Sequence, residues 1–141
     1  MVTKSKPVLY FAHPVNVYDT DLERALLACI AERFPAYRIL NPNAPEHAAG
    51  YAAKGMRHFF EDILPQCDLC VLLAFPDRQI GKGVYAEAEQ LHDGCNPVWE
   101  ILPSGEFLTW APNPARMLTV EETRARIRMP DGKTMRPYEG E

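Results

Sequence analysis

The chain has 141 residues, of which 47% are apolar and 24% are charged, values typical of a soluble globular domain. Its 15 Lys and Arg residues against 19 Asp and Glu residues give a formal net charge of −4, which argues against a general nucleic-acid binder. The apolar runs are too short to span a bilayer, and the stretch 8–12 is too short for the core of an export signal. We therefore expect a single cytoplasmic domain, 1–141, with no membrane contact and with its four cysteines as reduced thiols.

Strand and helix patterns alternate along the first two thirds of the chain. Thr20 and Glu23 have capping-box spacing at the start of the first helical pattern, and Pro45 and Gly50 leave 44–51 only weakly patterned. In chain order, the patterns predict a strand over 7–12, a helix over 20–34, a strand over 37–40, a helix over 56–64, a strand over 68–75, a helix over 84–92 and a strand over 97–101.

The C-terminal third has a different pattern. Residues 107–110 predict an edge strand, and we expect Trp110 within it to contribute to a contact between subunits. A second capping box at 119–122 predicts a basic helix that ends near Arg128. A turn is predicted at 130–132, and residues 133–141 are expected to form a loose end.

Alternating strands and helices predict a small doubly wound α/β domain, with a parallel sheet covered by helices on both faces, as in flavodoxin-like folds. Ligands bind such sheets beyond the carboxyl ends of the strands, which selects 10–17, 41–44 and 75–87 as candidate site segments. Within the last segment, Glu87 is expected in the first turn of a helix, where the helix dipole favours the anion. The alternative is that Glu87 only balances the dipole, as first-turn acids often do.

Several short segments occur in the order found in a known family. They are Tyr10-Phe11-Ala12, Glu61-Asp62-Ile63, 67–71, Phe75-Pro76-Asp77 and Gly83-Val84-Tyr85-Ala86-Glu87. In this order they resemble the nucleoside 2-deoxyribosyltransferases and the related deoxynucleoside 5′-monophosphate N-glycosidases. The resemblance covers about 8–101, and 102–141 forms a C-terminal extension that the resemblance does not explain.

The resemblance implies a role for each matching residue. Glu87 would be the nucleophile that attacks the anomeric carbon of a deoxyribose, and Tyr10 would orient its carboxylate. Asp62 and Asp77 would hold the nucleobase, one of them supplying the proton that the departing base needs. Gly83 would allow the backbone to approach the sugar closely.

The same resemblance implies the wider properties of the protein. Ala12, at the end of the first strand, is also expected to contact the substrate. We expect a small-molecule nucleoside or nucleotide as the substrate, and a homo-oligomer as the assembly. No metal or organic cofactor is expected, because two carboxyl groups suffice for glycosidic cleavage.

The segment His13-Pro14-Val15-Asn16 and Glu89 depart from the family pattern, which has small residues at these places. His13 either contacts a phosphate or sugar, or narrows the pocket, or has only a structural role at the strand end. Arg78 and Lys82 either grip a 5′-phosphate or are solvated loop cations.

Cys67 and Cys70 are interpreted as buried apolar side chains on opposite faces of a strand, rather than as a metal or redox pair, since no second ligand pair accompanies them.

Two other functions stay open beside N-glycoside cleavage. One is a non-catalytic nucleotide-binding module, and the other is an NAD glycohydrolase of the kind found in TIR domains, which also use a glutamate in a flavodoxin-like sheet. The sequence leaves purine or pyrimidine, free nucleoside or monophosphate, and transfer or hydrolysis undecided.

Overall fold

The computed structural model describes residues 6–44 and 46–139. In chain order its strands and helices are β1 (Val8–Ala12), α1 (Asp21–Arg33), β2 (Arg38–Leu40), α2 (Glu46–Lys54), β3 (Leu69–Leu72), α3 (Lys82–Asp93), β4 (Val98–Ile101), β5 (Phe107–Thr109) and α4 (Val120–Ile127). Three parts of the predictions lie outside the described residues: the N-terminal residues 1–5 considered for an export signal, the loosening effect of Pro45, and the last two residues of the expected loose end.

The strands form one sheet in the order β2-β1-β3-β4-β5. β1 pairs in parallel with β2 and β3, β3 pairs in parallel with β4, and β5 adds an antiparallel edge. The predicted doubly wound, flavodoxin-like α/β fold is therefore confirmed. The direction of strand succession reverses between β1 and β3, so the crevice for a ligand lies at their carboxyl ends.

Alternation along β1 separates two buried clusters, one on each face of the sheet. Tyr10 and Ala12 belong to the cluster that α3 covers, whereas Leu9 and Phe11 belong to the cluster that α1 covers. All five residues of β1 are buried, as a central parallel strand requires. The alternation thus directs the Tyr10 side chain towards α3.

Both predicted capping boxes mark true helix starts. The Thr20 side chain accepts a hydrogen bond from the backbone N–H of Glu23 at the start of α1. Thr119 and Glu122 form the reciprocal pair of bonds at the start of α4. Local sequence therefore determines where these helices begin.

The weak pattern over 44–51 was misleading, because the chain forms α2 there. Gly55, at a φ of +64°, ends this helix, and its backbone N–H donates to the carbonyl of Tyr51 at 2.7 Å. The predicted helix over 56–64 is a π-helical turn at His58–Ile63, followed by a 3₁₀ turn at Leu64–Gln66. Gly50 lies where the ring of His58, from the π-helical turn, packs against the backbone of α2.

The C-terminal residues pack on the domain, so the prediction of a loose end from residue 133 is wrong. Arg128 pairs with Met135 in an isolated antiparallel bridge, and the Tyr138 hydroxyl donates to the carbonyl of Ala74 beyond β3. Long-range contacts of this kind leave no periodic signal in the sequence. They place the C-terminal extension over the carboxyl end of the sheet.

Trp110 is also placed differently from the prediction. It is buried within the protomer and meets the ring of Tyr85 edge-on at a centroid distance of 5.4 Å, so it is not exposed for a contact between subunits. Of the edge strand predicted over 107–110, Phe107–Thr109 is confirmed as β5, and Trp110 follows it. Across the described ranges 6–44 and 46–139, every helix is too short or too polar to cross a membrane.

Candidate active site

Tyr10 and Glu87 meet in the interior of the domain. The Tyr10 hydroxyl donates to Glu87 Oε2 at 2.5 Å, a distance typical of a charge-assisted hydrogen bond. Burial, and then the nearby Glu87 charge, raises the pKa of Tyr10 well above its usual value, so the phenol stays protonated as a donor. Tyr10 and Glu87, which the sequence analysis selected as site residues, thus form a buried pair.

The environment of Glu87 differs from the predicted one. α3 begins at Lys82, which puts Glu87 in the second turn of the helix and leaves the first turn without an acidic residue. The expected stabilisation of the anion by the helix end is therefore wrong. Burial raises the pKa of Glu87 to about 7, although the hydrogen bond from Tyr10 acts in the opposite direction. Near neutral pH this carboxyl group exists in both protonation states.

Glu87 borders a cavity of about 530 Å³ at the carboxyl ends of β1 and β3. All three predicted site segments reach this cavity, since its lining includes His13, Asn43 and Gly83. Aromatic and other apolar side chains dominate the rest of the wall. They include Tyr18, Tyr51, Met56, Phe59, Phe75 and Val84. A mostly apolar cavity with few polar groups is the usual form of a small-molecule site.

Four of the residues that the sequence selected line the cavity: Tyr10, His13, Gly83 and Glu87. Ala12, the fifth residue of β1, is fully buried in the sheet and is not part of the lining. The site segment at the end of β1 therefore reaches the ligand crevice through His13 rather than through Ala12.

The two predicted base-binding aspartates lie outside the cavity lining. Asp77 accepts two hydrogen bonds from the guanidinium of Arg126, at 2.9 and 2.6 Å, and this pair joins the loop after β3 to α4. Asp62 is bound by Lys54 Nζ at 3.0 Å and by His58 Nδ1 at 3.2 Å. Both carboxyl groups are partly exposed. Neither carboxylate is in direct reach of the cavity.

The two predicted phosphate-binding cations also lie outside the cavity lining. Arg78 donates two hydrogen bonds of 2.9 Å to Glu100, a side chain that is 1% exposed. The amine of Lys82 lies 3.6 Å from Met117 Sδ. Arg128 of the C-terminal extension is the arginine that lines the cavity.

His13 is fixed by hydrogen bonds on both sides of its ring. Its Nδ1 lies 2.9 Å from the carbonyl oxygen of Phe11, and its Nε2 lies 2.8 Å from Oε2 of Glu23. Burial raises the pKa of Glu23, but hydrogen bonds from His13, Asp19 and Asn43 outweigh it and keep that pKa below its usual value. Because Glu23 also accepts from Asn43, this group ties the loop after β2 to the loop after β1.

Several lining residues gave no site signal in the sequence. His47 and Tyr51 lie on α2, which the pattern did not predict as a helix. Thr123 and Ile127 lie on α4, within the extension that the resemblance does not cover. The backbone N–H of Lys82 donates to Thr123 Oγ1 at 2.9 Å, which docks α4 at the start of α3. The one available sequence signal for α4 was its capping box.

Cys67 and Cys70 are both buried in the cluster on the α3 side of the sheet, so their predicted position on opposite faces is wrong. Cys67 precedes β3 rather than lying within it, and its thiol donates to the carbonyl of Ile63. Burial raises the pKa of Cys67 to about 12 and also that of Cys70, so both stay protonated at neutral pH. The described ranges contain no group of three or more His, Cys, Asp or Glu side chains arranged to hold a metal ion.

Comparison with known proteins adds no family. No protein-family model matches the chain, and no curated protein or solved structure matches it significantly.

Proposed function

We propose that this protein is an enzyme that cleaves or transfers the N-glycosidic bond of 2′-deoxynucleosides or their monophosphates, with Glu87 as the nucleophile. The observation that carries the proposal is a buried carboxyl group that borders a cavity and whose hydrogen-bond partner is the neutral hydroxyl of Tyr10. A binding module does not need such a carboxyl group, because desolvating it without a cationic partner costs folding free energy. A nucleophile needs an oxygen that is not neutralised by a counter-ion.

The proposed reaction takes two steps. A Glu87 oxygen forms a bond to C1′ of the sugar as the C1′–N bond breaks, and the electron pair of that bond goes to the base nitrogen, which takes up a proton. A second base or a water molecule, each losing one proton, then attacks C1′ and releases the Glu87 carboxylate. The first acceptor gives transfer and the second gives hydrolysis.

The volume and lining of the cavity support a nucleoside as substrate. Its volume of about 530 Å³ is within the range of small-molecule sites. Rings at Tyr18, Tyr51 and Phe59 offer surfaces against which a base can pack. Arg128 provides a cation for an anionic substituent such as a 5′-phosphate.

The test is product analysis with the purified protein. A mixture of deoxynucleosides, their monophosphates and one additional free base is incubated with the wild type and with Glu87→Gln, and products are separated by chromatography. A new nucleoside demonstrates transfer, and free base without exchange demonstrates hydrolysis. The matched control is Glu89→Gln, which changes an exposed glutamate two positions along the same helix.

Three outcomes contradict the proposal. If the Glu87→Gln variant keeps its activity, Glu87 is not the nucleophile. Affinity for nucleosides without any product indicates a binding module. Release of nicotinamide in a parallel incubation with NAD, with no reaction of the deoxynucleosides, indicates an NAD glycohydrolase.

A further inference from the structure

Three side chains form a hydrogen-bonded row that runs from the surface to the cavity. Asp62 Oδ2 lies 3.2 Å from Nδ1 of His58, and Nε2 of His58 lies 3.4 Å from Nδ1 of His47. Asp62 is partly exposed, whereas His47 is buried and lines the same cavity as Glu87. The row therefore links a surface carboxylate to the wall of the candidate active site.

Gly50 makes room for the middle of this row. A Cβ atom added at Gly50 would lie 2.3 Å from two atoms of the His58 ring, which is far inside van der Waals contact. Glycine within a helix is less favourable than alanine, because it loses more backbone conformational freedom on folding. In α2 the glycine stands where the imidazole of His58 lies against the helix backbone.

The hydrogen-bond roles in the row follow from its charged end. Lys54, and then His58, hold the pKa of Asp62 below its usual value, so Asp62 is an anion that only accepts. His58 Nδ1 must then carry a proton. In a neutral His58 the Nε2 atom is an acceptor, and it accepts from Nδ1 of His47. The Asp62 carboxylate lies against the ring of His58, so the outer end of the row carries a negative charge.

We propose that His47 is the proton donor to the departing base, and that His58 and Asp62 are the residues that position it and restore its proton. This inference rests on the proposed function, which requires a proton at the leaving nitrogen. Asp62 thus keeps a link to that step, but through two imidazoles rather than by direct contact with the base. Asp77, which Arg126 binds on the outer side of the loop after β3, has no such connection among the described residues.

The proton balance is simple. The protonated His47 gives one proton to the base nitrogen as the C1′–N bond breaks, and the base leaves as a neutral molecule. His47 becomes neutral and is protonated again from solvent through His58. At the outer end of the row, the ion pairs that the described residues form with Asp62 or beside it involve Lys54, Glu61 and Arg57.

The experiment separates proton donation from all other effects by changing the leaving group. One substrate is the natural deoxynucleoside that the wild type cleaves fastest. The other is 4-nitrophenyl 2-deoxyriboside, whose nitrophenolate leaves as a stable anion and needs no proton. The variants are His47→Gln, His58→Gln, Gly50→Ala and Glu87→Gln, each checked for folding by circular dichroism and thermal melting.

We expect His47→Gln to lower kcat on the natural substrate by on the order of a hundredfold or more, with less than about a fivefold effect on the nitrophenyl substrate. His58→Gln and Gly50→Ala should show the same split with a smaller loss, because they leave His47 in place but remove its support. The matched control for Gly50→Ala is Gly94→Ala, where the three atoms nearest the added Cβ are the Asn96 side-chain amide nitrogen at 3.2 Å and two carbonyl oxygens at 3.6 Å. Glu87→Gln should lose both substrates equally.

Two results overturn the inference while leaving the proposed function in place. The first is natural-substrate activity that falls less than about tenfold in His47→Gln. The second is a folded His47→Gln variant that loses both substrates by the same factor, which would assign His47 to binding or structure. A wild type that cleaves neither substrate contradicts the proposed function itself, and the inference falls with it.

Discussion

Two buried glutamates in this molecule have opposite electrostatic surroundings. Glu87 on α3 is 6% exposed, is hydrogen-bonded by the Tyr10 hydroxyl, and has its pKa raised to about 7 by burial. Glu100 on β4 is 1% exposed but lies between the guanidinium groups of Arg78 and Arg116. Burial raises the pKa of Glu100 as well, yet the hydrogen bonds from the two arginines outweigh it and hold that pKa below its usual value.

The comparison teaches that the partner, not burial, decides what a buried carboxyl group can do. Two cations neutralise Glu100 and join the loop after β3 to β4 and to the C-terminal extension. Glu87 borders the cavity without such neutralisation, so its oxygen keeps its basicity for a substrate. Glu100 therefore stabilises the fold, and Glu87 carries the proposed chemistry.

The largest expected effect is on activity. Replacing Glu87 with Gln should lower kcat/KM for the deoxynucleoside substrate at least about a thousandfold, because a neutral amide cannot form the ester. Glu89→Gln should retain activity within about twofold, because this side chain is exposed and away from the cavity lining. Steady-state kinetics at pH 8 measures both. If kcat/KM falls equally in Glu87→Gln and Glu89→Gln, the loss is not specific to the buried glutamate and Glu87 is not the nucleophile.

The next effect is on stability. Glu100→Ala should lower the free energy of unfolding by about 3 kcal/mol, because two arginines lose a buried carboxylate. Urea denaturation measures it, with Glu106→Ala, an exposed change in the turn before β5, as the control. A Glu100→Ala variant as stable as the wild type would show that hydrogen bonds from Arg78 and Arg116 to water replace those to Glu100 without loss of stability.

The pH dependence of stability should separate Glu87 from Glu100. The pKa of Glu87 is higher in the folded state, about 7, than the 4.5 of an unperturbed group, so between these values the folded state binds the proton more tightly. Its contribution to the free energy of unfolding is present below pH 4.5 and is lost as the pH rises through 7, by up to about 3 kcal/mol.

The difference in unfolding free energy between the wild type and Glu87→Gln should therefore fall as the pH rises across this window. Glu100 contributes with the opposite sign, because its pKa is lowered and its stabilisation is lost on acidification. If the difference in unfolding free energy between the wild type and Glu87→Gln is the same at every pH, the pKa of Glu87 is not raised in the folded state.

A smaller effect is expected from the hydrogen bond between Tyr10 and Glu87. Tyr10→Phe removes an interaction that lowers the pKa of Glu87, so the acid limb of the pH–rate profile should move to higher pH. At pH 7 kcat/KM should fall about tenfold, and part of the loss should return at higher pH. A loss that is the same at every pH would show that Tyr10 acts by another route, such as direct contact with the sugar.

The smallest effect is expected at Asp77. Asp77→Asn weakens a half-exposed ion pair with Arg126, which should cost less than about 1 kcal/mol of stability and change kcat/KM by less than about fivefold. Stability and kinetics are measured on the same preparation. A hundredfold rise in KM that depends on the base would restore to Asp77 the base-binding role that the family resemblance implies.

Local sequence patterns predicted most of the fold. The capping residues Thr20 and Thr119 marked helix starts, and the wholly apolar segment around Val71 marked a central parallel strand. The rule that ligands bind beyond the carboxyl ends of parallel strands then placed the candidate site at the correct end of the sheet, although the strand order itself was not predicted. Tyr10 and Glu87 were chosen by resemblance, and the structure brings the two side chains into contact.

The parts that escaped prediction depend on contacts between distant segments. Gly50 weakened the helical pattern of α2. A side chain at this position would collide with the ring of His58, eight residues further along, and the sequence pattern does not show that contact. Thr123 and Ile127 reach the cavity only because the extension folds back onto the start of α3. Glu87 was predicted as a dipole-stabilised anion because the start of α3 was placed two residues too late.

The most direct test of the account is a carboxyl titration by ¹³C NMR, with Glu87→Gln and Glu100→Gln used to assign the two resonances. The account predicts a midpoint near 7 for Glu87 and one below 4.5 for Glu100. A Glu87 midpoint at or below 4.5 would contradict the claim that burial raises the pKa of Glu87. The Glu87 carboxylate would then be stabilised as an anion, as Glu100 is.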